Sequence, residues 1–279
     1  MPQLSYCGEE VRRHDPDRFL AALFTPEDRR EAVFALLAFN LEVAKTREVV
    51  SDPMLGQIRL QWWREALDGA YAGTPRAHQV VEPLAAAIAA HGLTRARLDR
   101  LIDAREQDLE ETAPPDLAAL EAYAHDTTAP LLGLWLEVLG VGDGPAHAAA
   151  EAVGTAYALA GLMRRLPLDA ARRRITLPTS VVEELAVDLG ELFELRPHEA
   201  LARAVATVCT AAEGHLARGR ALAGQVPQAA RPALLPAVVA ARHLAVLRRC
   251  RFDVFHPKVA RRPANLAAAL LWHALRKRY

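Results

Sequence analysis

The sequence predicts an all-α protein, and three observations lead there. Apolar residues recur at helical spacing in segment after segment, no persistent period-two run signals a sheet, and the breaks are short turns bearing Pro or Gly. No unit repeats at a solenoid period and no linker interrupts the pattern, so residues 1–279 read as one domain.

Thr25-Pro26-Glu27-Asp28 reads as a helix start, with a threonine cap, proline at the first helical position and acids against the positive dipole end. Val33, Leu36, Leu37, Leu41 and Ala44 then form an apolar stripe, and the spacing carries this helix to about Val50. Asp52-Pro53 ends it. The segment "GQIRLQWWREALDGAYAG" is the next helix, closed by Gly73-Thr74-Pro75. Its adjacent Trp62 and Trp63 point to different sides, so at least one packs in the core. Helical spacing continues through "VVEPLAAAIAAHG", "TRARLDRLIDAREQDLEET", "DLAALEAYAHDTTAPLLGLWLEVLG" and "AHAAAEAVGTAYALAGLMRRL". "HEALARAVATVCTAAEGHLARGRALAGQV", "ARPALLPAVVAARHLAVLRRC" and "NLAAALLWHALRKRY" complete the series.

Composition narrows the function classes. With 52% hydrophobic residues over 279 positions the chain can bury a substantial core, and 34 basic residues balance 34 acidic ones, so no global field recruits nucleic acid or an anionic membrane. Any basic site must be local. Cys7, Cys209 and Cys250 are odd in number and scattered, without zinc-site pairing or disulfide density, which fits a reducing cytoplasm. "MPQLSYCGEEVRRHDPDRF" has neither a signal-peptide core nor an acid-free transit pattern, and the longest apolar runs are short or interrupted by Arg242 and His243. The expectation is a cytoplasmic protein, with peripheral contact at the inner membrane left open. No nucleophile motif, phosphate loop or dinucleotide fingerprint is present, and His125, His215, His243 and His256 lack metal-ligand spacing.

The order of segments resembles the squalene/phytoene synthase family over nearly the whole chain. The resemblance rests on "DPDRFLAALFTPEDRREAVFALLAFNLEVA", "IRLQWWREAL", "LIDAREQDLE", "GTAYALAGLMRRLPLDAARRRITLP", "GRALAGQVPQAARPALLP" and "RCRFDVFHPKV". It implies an all-α bundle around a central cavity. Active members join two isoprenoid diphosphates head to head, with Mg²⁺ held between two aspartate-rich helical motifs. A hard cation takes oxygen ligands, and acids at i and i+4 share a helix face. Here the positions matching the first motif are Ala44, Lys45 and Glu48, and those matching the second are Ala158, Gly161, Arg165 and Asp169. Only Glu48 and Asp169 remain acidic. Pro167 is expected to end or kink its helix and displace Asp169.

The resemblance therefore implies a scaffold without its metal chemistry: no cofactor, and Glu48 and Asp169 as remnants. "FNLEVA", "IRLQWW", the arginine-rich turn before "LP" and "FDVFHP" look like the branch of the family that contains the mitochondrial assembly factor of respiratory complex I. That branch implies a respiratory-complex partner and an isoprenoid or phospholipid ligand. The alternative is an active Mg²⁺-dependent prenyltransferase. Lys45, Arg47, Arg164, Arg165, Arg172 and Arg174 are the candidate anion-binding residues, since guanidinium forks can hold phosphate in place of a metal. Arg164, Arg165, Arg172 and Arg174, with Arg173, equally suit a helix C-terminus complemented by cations and a solvated basic turn. Glu42 pairs at helical spacing with Lys45 or Arg47. The tail, with Leu266, Leu270 and Leu271 on one side and Arg276, Lys277 and Arg278 at its end, reads as a helix docked on the bundle, with weak membrane-surface binding as the alternative.

Overall fold

A computed structural model describes residues 4–50, 52–110, 112–142, 144–276 and 278–279, and Lys277 of the predicted basic tail falls outside them. Sixteen α-helices follow one another with no strand among the described residues. Two short helices open the chain, α1 (Tyr6–His14) and α2 (Pro16–Ala22), capped by the side chains of Ser5 and Asp15. Neither is announced by the sequence pattern, because each holds only about two turns.

Helix α3 (Glu27–Ala44) begins where expected but not as expected. Thr25 makes no cap. Its buried hydroxyl accepts from the Trp135 indole at 3.0 Å, and Pro26 stands at the cap position. A hydrogen bond inside the core replaced a local one at the helix end. The helix also stops at Ala44 rather than Val50, and a separate turn, α4 (Thr46–Val49), follows with the Glu48 N–H closing on the Lys45 carbonyl.

Next come α5 (Pro53–Tyr71), capped by Asp52, α6 (Val81–His91), closed by left-handed Gly92, and α7 (Arg95–Asp103). Trp63 is buried, while Trp62 is half-buried under Arg76, whose guanidinium lies 5.5 Å from its ring centroid. The centre of the molecule is α8 (Leu117–Val138) against α9 (Gly144–Ala171). They approach so closely that a Cβ on Gly154 would lie 2.9 Å from the Ala129 Cα. Helix α9 runs unbroken through Pro167, so the expected break and displacement of Asp169 do not occur. A proline inside a helix costs about 3 kcal/mol. Met163, Leu166 and Ala170 are fully buried, and at about 1.5–3 kcal/mol for each large side chain their burial outweighs that cost.

The remaining helices are α10 (Thr179–Glu184), α11 (Leu189–Phe193), α12 (Glu199–Ala221), α13 (Arg231–Leu234), α14 (Pro236–Arg249), α15 (Pro257–Ala260) and α16 (Leu266–Leu275). Helices α12 and α14 pack on α9 and on each other, and α16 packs on α14 and α2. One continuous apolar core runs from Cys7 to Tyr279. Gln228–Arg249 has the length and composition of a membrane span, yet two-thirds of its apolar window is buried in the bundle, which explains that composition as core packing.

Candidate functional site

Two polar clusters lie among these helices. The first joins α4 to the last turns of α9. Arg165 Nη2 forms an ion pair with Glu48 Oε1 at 2.7 Å and Arg165 Nε donates to Asp169 Oδ1 at 3.1 Å, so one guanidinium stands between the two surviving acids. The end of α3 at Lys45 sets off the separate turn that carries Glu48. Asp169 is 4% exposed, and burial raises its pKa above the usual carboxylate range although Arg165, Arg174 and Arg172 pull the other way. Arg174 titrates below an ordinary arginine, first through burial and then through the neighbouring charges of Arg47 and Arg172. Four of the predicted anion-binding residues, Arg47, Arg165, Arg172 and Arg174, therefore share one electrostatic neighbourhood.

Behind them, Arg105 donates to Asp108 Oδ2 at 3.2 Å and to the Tyr123 hydroxyl at 3.0 Å, and that hydroxyl donates to Asp108. Burial pushes the Tyr123 phenol far up, and it stays neutral. Sequence reasoning missed this triad, although "LIDAREQDLE" contains two of its members. Upstream on α9, a Cβ built on Gly161 meets no atom within 4 Å, so there is open space one helical turn before Arg165.

The other predicted residues go elsewhere. Lys45 lies 3.4 Å from Glu10 and 3.5 Å from Glu42, and Glu42 also accepts from Arg59 at 2.7 Å. Glu42 thus stays outside the Glu48 and Asp169 pair. Arg173, with its backbone at φ 57°, sits over the Phe193 ring. Arg164, adjacent to Arg165 in sequence, turns away to the second cluster, because neighbours on a helix differ by about 100° in direction.

That second cluster borders a cleft of about 400 Å³ lined by His14, Asp15, Asp17, Tyr157, Arg164 and Arg262, among others. Asp17 is its centre. Its Oδ2 lies 2.9 Å from His243 Nε2 and 3.6 Å from Arg164, while Arg262 Nε stands 3.0 Å from Oδ1 without hydrogen-bond alignment. Arg164 also donates to the Val259 carbonyl at 3.3 Å. Burial by itself raises the Asp17 carboxyl, but the His243 hydrogen bond and the charges of His243, Arg164 and Arg262 more than offset it and hold it below the usual range. Burial depresses His243, and Arg164 depresses it further. Beside them Arg18 pairs with Asp15 and lies over the Tyr157 ring. Each arginine here already faces an acid, Arg18 at Asp15 and both Arg164 and Arg262 at Asp17, so the cluster is a latch between α2, α9, α14 and the segment after α15. The string "DPDRF" holds its acids and Arg18, the partner of Asp15, but nothing local announces the distant partners of Asp17.

Mg²⁺ does not suit either place. Among the described residues no group of three or more His, Cys, Asp or Glu side chains could hold a metal ion. The donor chemistry of the first cluster agrees: Arg165 occupies the ground between Glu48 and Asp169, and the surrounding arginines exceed the acids. A divalent cation would meet like charge there. Cys7 and Cys209 are buried, with thiols pushed up to about 12, so neither is a ready nucleophile.

Comparison with known proteins agrees with the architecture. Complex I assembly factor 6 of Rattus norvegicus is 33% identical over 98% of this chain and 82% of its own. A presqualene diphosphate synthase of Sinorhizobium fredii is 23% identical over 71% of each chain. The squalene synthase HpnC from Alicyclobacillus acidocaldarius superposes with a TM-score of 0.77 at 25% identity, over 88% of this chain and 93% of that one. A dehydrosqualene synthase structure reaches 0.81 over 97% and 96% but at 17% identity, and so shows the fold alone. Residues 11–265 match the squalene/phytoene synthase family, and with the fold and the ordered segments in place the chain belongs to it.

Proposed function

We propose that this protein is a noncatalytic member of its family that helps assemble respiratory complex I, acting in the cytoplasm at the inner membrane. The observation that carries the reading is Arg165 between Glu48 and Asp169: at the position where active relatives need a divalent cation, this chain places a fixed organic one. The near full-length similarity to assembly factor 6 supports the partner. In this reading the site receives the phosphate of an isoprenoid or phospholipid through Arg47, Arg172 and Arg174, whose mutual repulsion a bound anion relieves.

The role is tested by deleting the gene in its native host. NADH:ubiquinone oxidoreductase assembly should fall while carotenoid, squalene and hopanoid levels stay intact, and Asp169→Asn should complement once shown to accumulate normally. Purified protein with Mg²⁺ should release no diphosphate from farnesyl or geranylgeranyl diphosphate above a mock preparation. Normal complex assembly with loss of an isoprenoid product that only the Asp169 form restores would establish the prenyltransferase reading instead.

The anion site is tested separately by calorimetry with pyrophosphate at low salt. Arg172 is exposed and Arg174 half-buried, so replacing both by alanine should leave the fold intact and weaken binding by about tenfold or more, as charge-assisted bonds of roughly 1.5–3 kcal/mol imply. Equal binding in the variant would return these arginines to the role of a solvated helix end.

A further inference from the structure

The balanced net charge conceals a segregation. Residues 214–279 hold thirteen lysines and arginines and a single acid, Asp253. Helices α14 and α16, which pack on each other, contain no acid at all. Helix α16 is held to the bundle by buried Leu266, Ala269 and Leu270, and the Tyr279 hydroxyl beyond it donates to the Gly219 carbonyl at 3.0 Å. Its other face is open. Ala267 and Ala268 are exposed, and Leu271, Trp272 and Leu275 stand out at 51, 55 and 71% exposure. Arg276 lies over the Trp272 ring at 4.0 Å, and the charges that bear on neighbouring His273 are Arg220, Arg242 and Arg278, all exposed and all positive.

We propose that α16 docks this protein on an anionic lipid bilayer, lying in the headgroup plane with Leu271, Trp272 and Leu275 inserted and Arg276 and Arg278 at the lipid phosphates. Its 10 residues make a rod of about 15 Å, half the roughly 30 Å hydrocarbon thickness, so it lies on a membrane rather than crossing it. Tryptophan favours the interface, and arginine can lay its methylenes on apolar surface while its head stays with the phosphates. A specific protein interface needs polar donors and acceptors to set its register. This strip offers apolar area rimmed by one sign of charge, which is what an anionic interface recognises. The inference deepens the proposed placement at the inner membrane, and its vesicle test stands or falls separately from the role in complex I.

The full-length protein is sedimented with phosphatidylcholine vesicles, with and without phosphatidylglycerol. It should bind only the anionic vesicles, release with rising salt, and show a blue shift in tryptophan emission that Trp272→Phe removes. Trp272→Ser with Leu275→Ser should weaken binding by about tenfold or more through lost insertion. Both side chains are mostly exposed, so circular dichroism should be unchanged. Arg276→Gln with Arg278→Gln should weaken binding and flatten its salt dependence. Met54→Ser with Ile58→Ser, which alters a second exposed apolar patch on α5, should leave binding intact. The proposal fails if anionic vesicles are not bound at low salt, if the α16 variants bind as well as wild type, or if only the α5 variant loses binding. It also fails if the exposed face mediates self-association instead, seen as a dimer in light scattering that Trp272→Ser abolishes without vesicle binding in wild type.

Discussion

Asp17→Ala is expected to lower the free energy of unfolding by about 3–5 kcal/mol, the range for stranding buried charges by removing one partner. Asp17 is the one acid that faces His243, Arg164 and Arg262 together. Arg262 is 42% exposed and can reach water, so the lower end of the range applies. Asp17→Asn, which keeps the volume and one acceptor, should lose less. Urea denaturation checks both, and a loss under about 1 kcal/mol for the alanine variant would mean that solvent screens the cluster. The pH dependence has a definite sign. A depressed carboxyl contributes stability above its unfolded pKa of about 3.9 and loses it as pH falls through the lower folded value. Depressed His243 resists protonation, so the unfolded chain takes up a proton first and stability declines as pH drops below about 6.5. Without Asp17 nothing nearby favours the imidazolium, and the decline below that point should steepen.

Gly154→Leu should be at least as damaging, because the atoms in its way are backbone. A Cβ there would meet Ala129 Cα at 2.9 Å and Ala129 N at 3.0 Å, and a leucine adds three more carbons to that contact. Overpacking of side chains costs about 1–3 kcal/mol, and a helix pair that cannot move apart costs more. Helices α8 and α9 also carry Tyr123 and Arg165, so forcing them apart should loosen the first polar cluster. The expected result is poor soluble yield or a greatly lowered melting temperature, with Gly154→Ala intermediate. A Gly154→Leu protein as stable as wild type would show that the two helices can slide.

Residues within a turn or two of one another were legible as a sequence. Asp52-Pro53 separates α4 from α5 and Gly73-Thr74-Pro75 follows the end of α5, because such breaks depend on groups within a few positions. The loss of acids at Ala44, Lys45, Ala158, Gly161 and Arg165 was equally plain, since it is a matter of residue identity. The segregation of charge between the last 66 residues and the rest was also there to be counted, though the overall balance concealed it. Even the divergence of Arg164 and Arg165 had a signal in the 100° between neighbours on a helix.

What the sequence by itself determined is the all-α class, the order of its main helices and the depletion of metal ligands. Only the tertiary structure decided that Arg165 would bridge Glu48 to Asp169, that Asp17 would meet His243 across 226 positions, and that Thr25 would abandon its helix for Trp135. It also decided that α9 would run through Pro167 and that half of α16 would remain uncovered. The reason is one of range: propensity and capping act over a few residues at about 1 kcal/mol each, whereas burial in a core built from distant segments contributes several kcal/mol per side chain and overrides them wherever the two disagree.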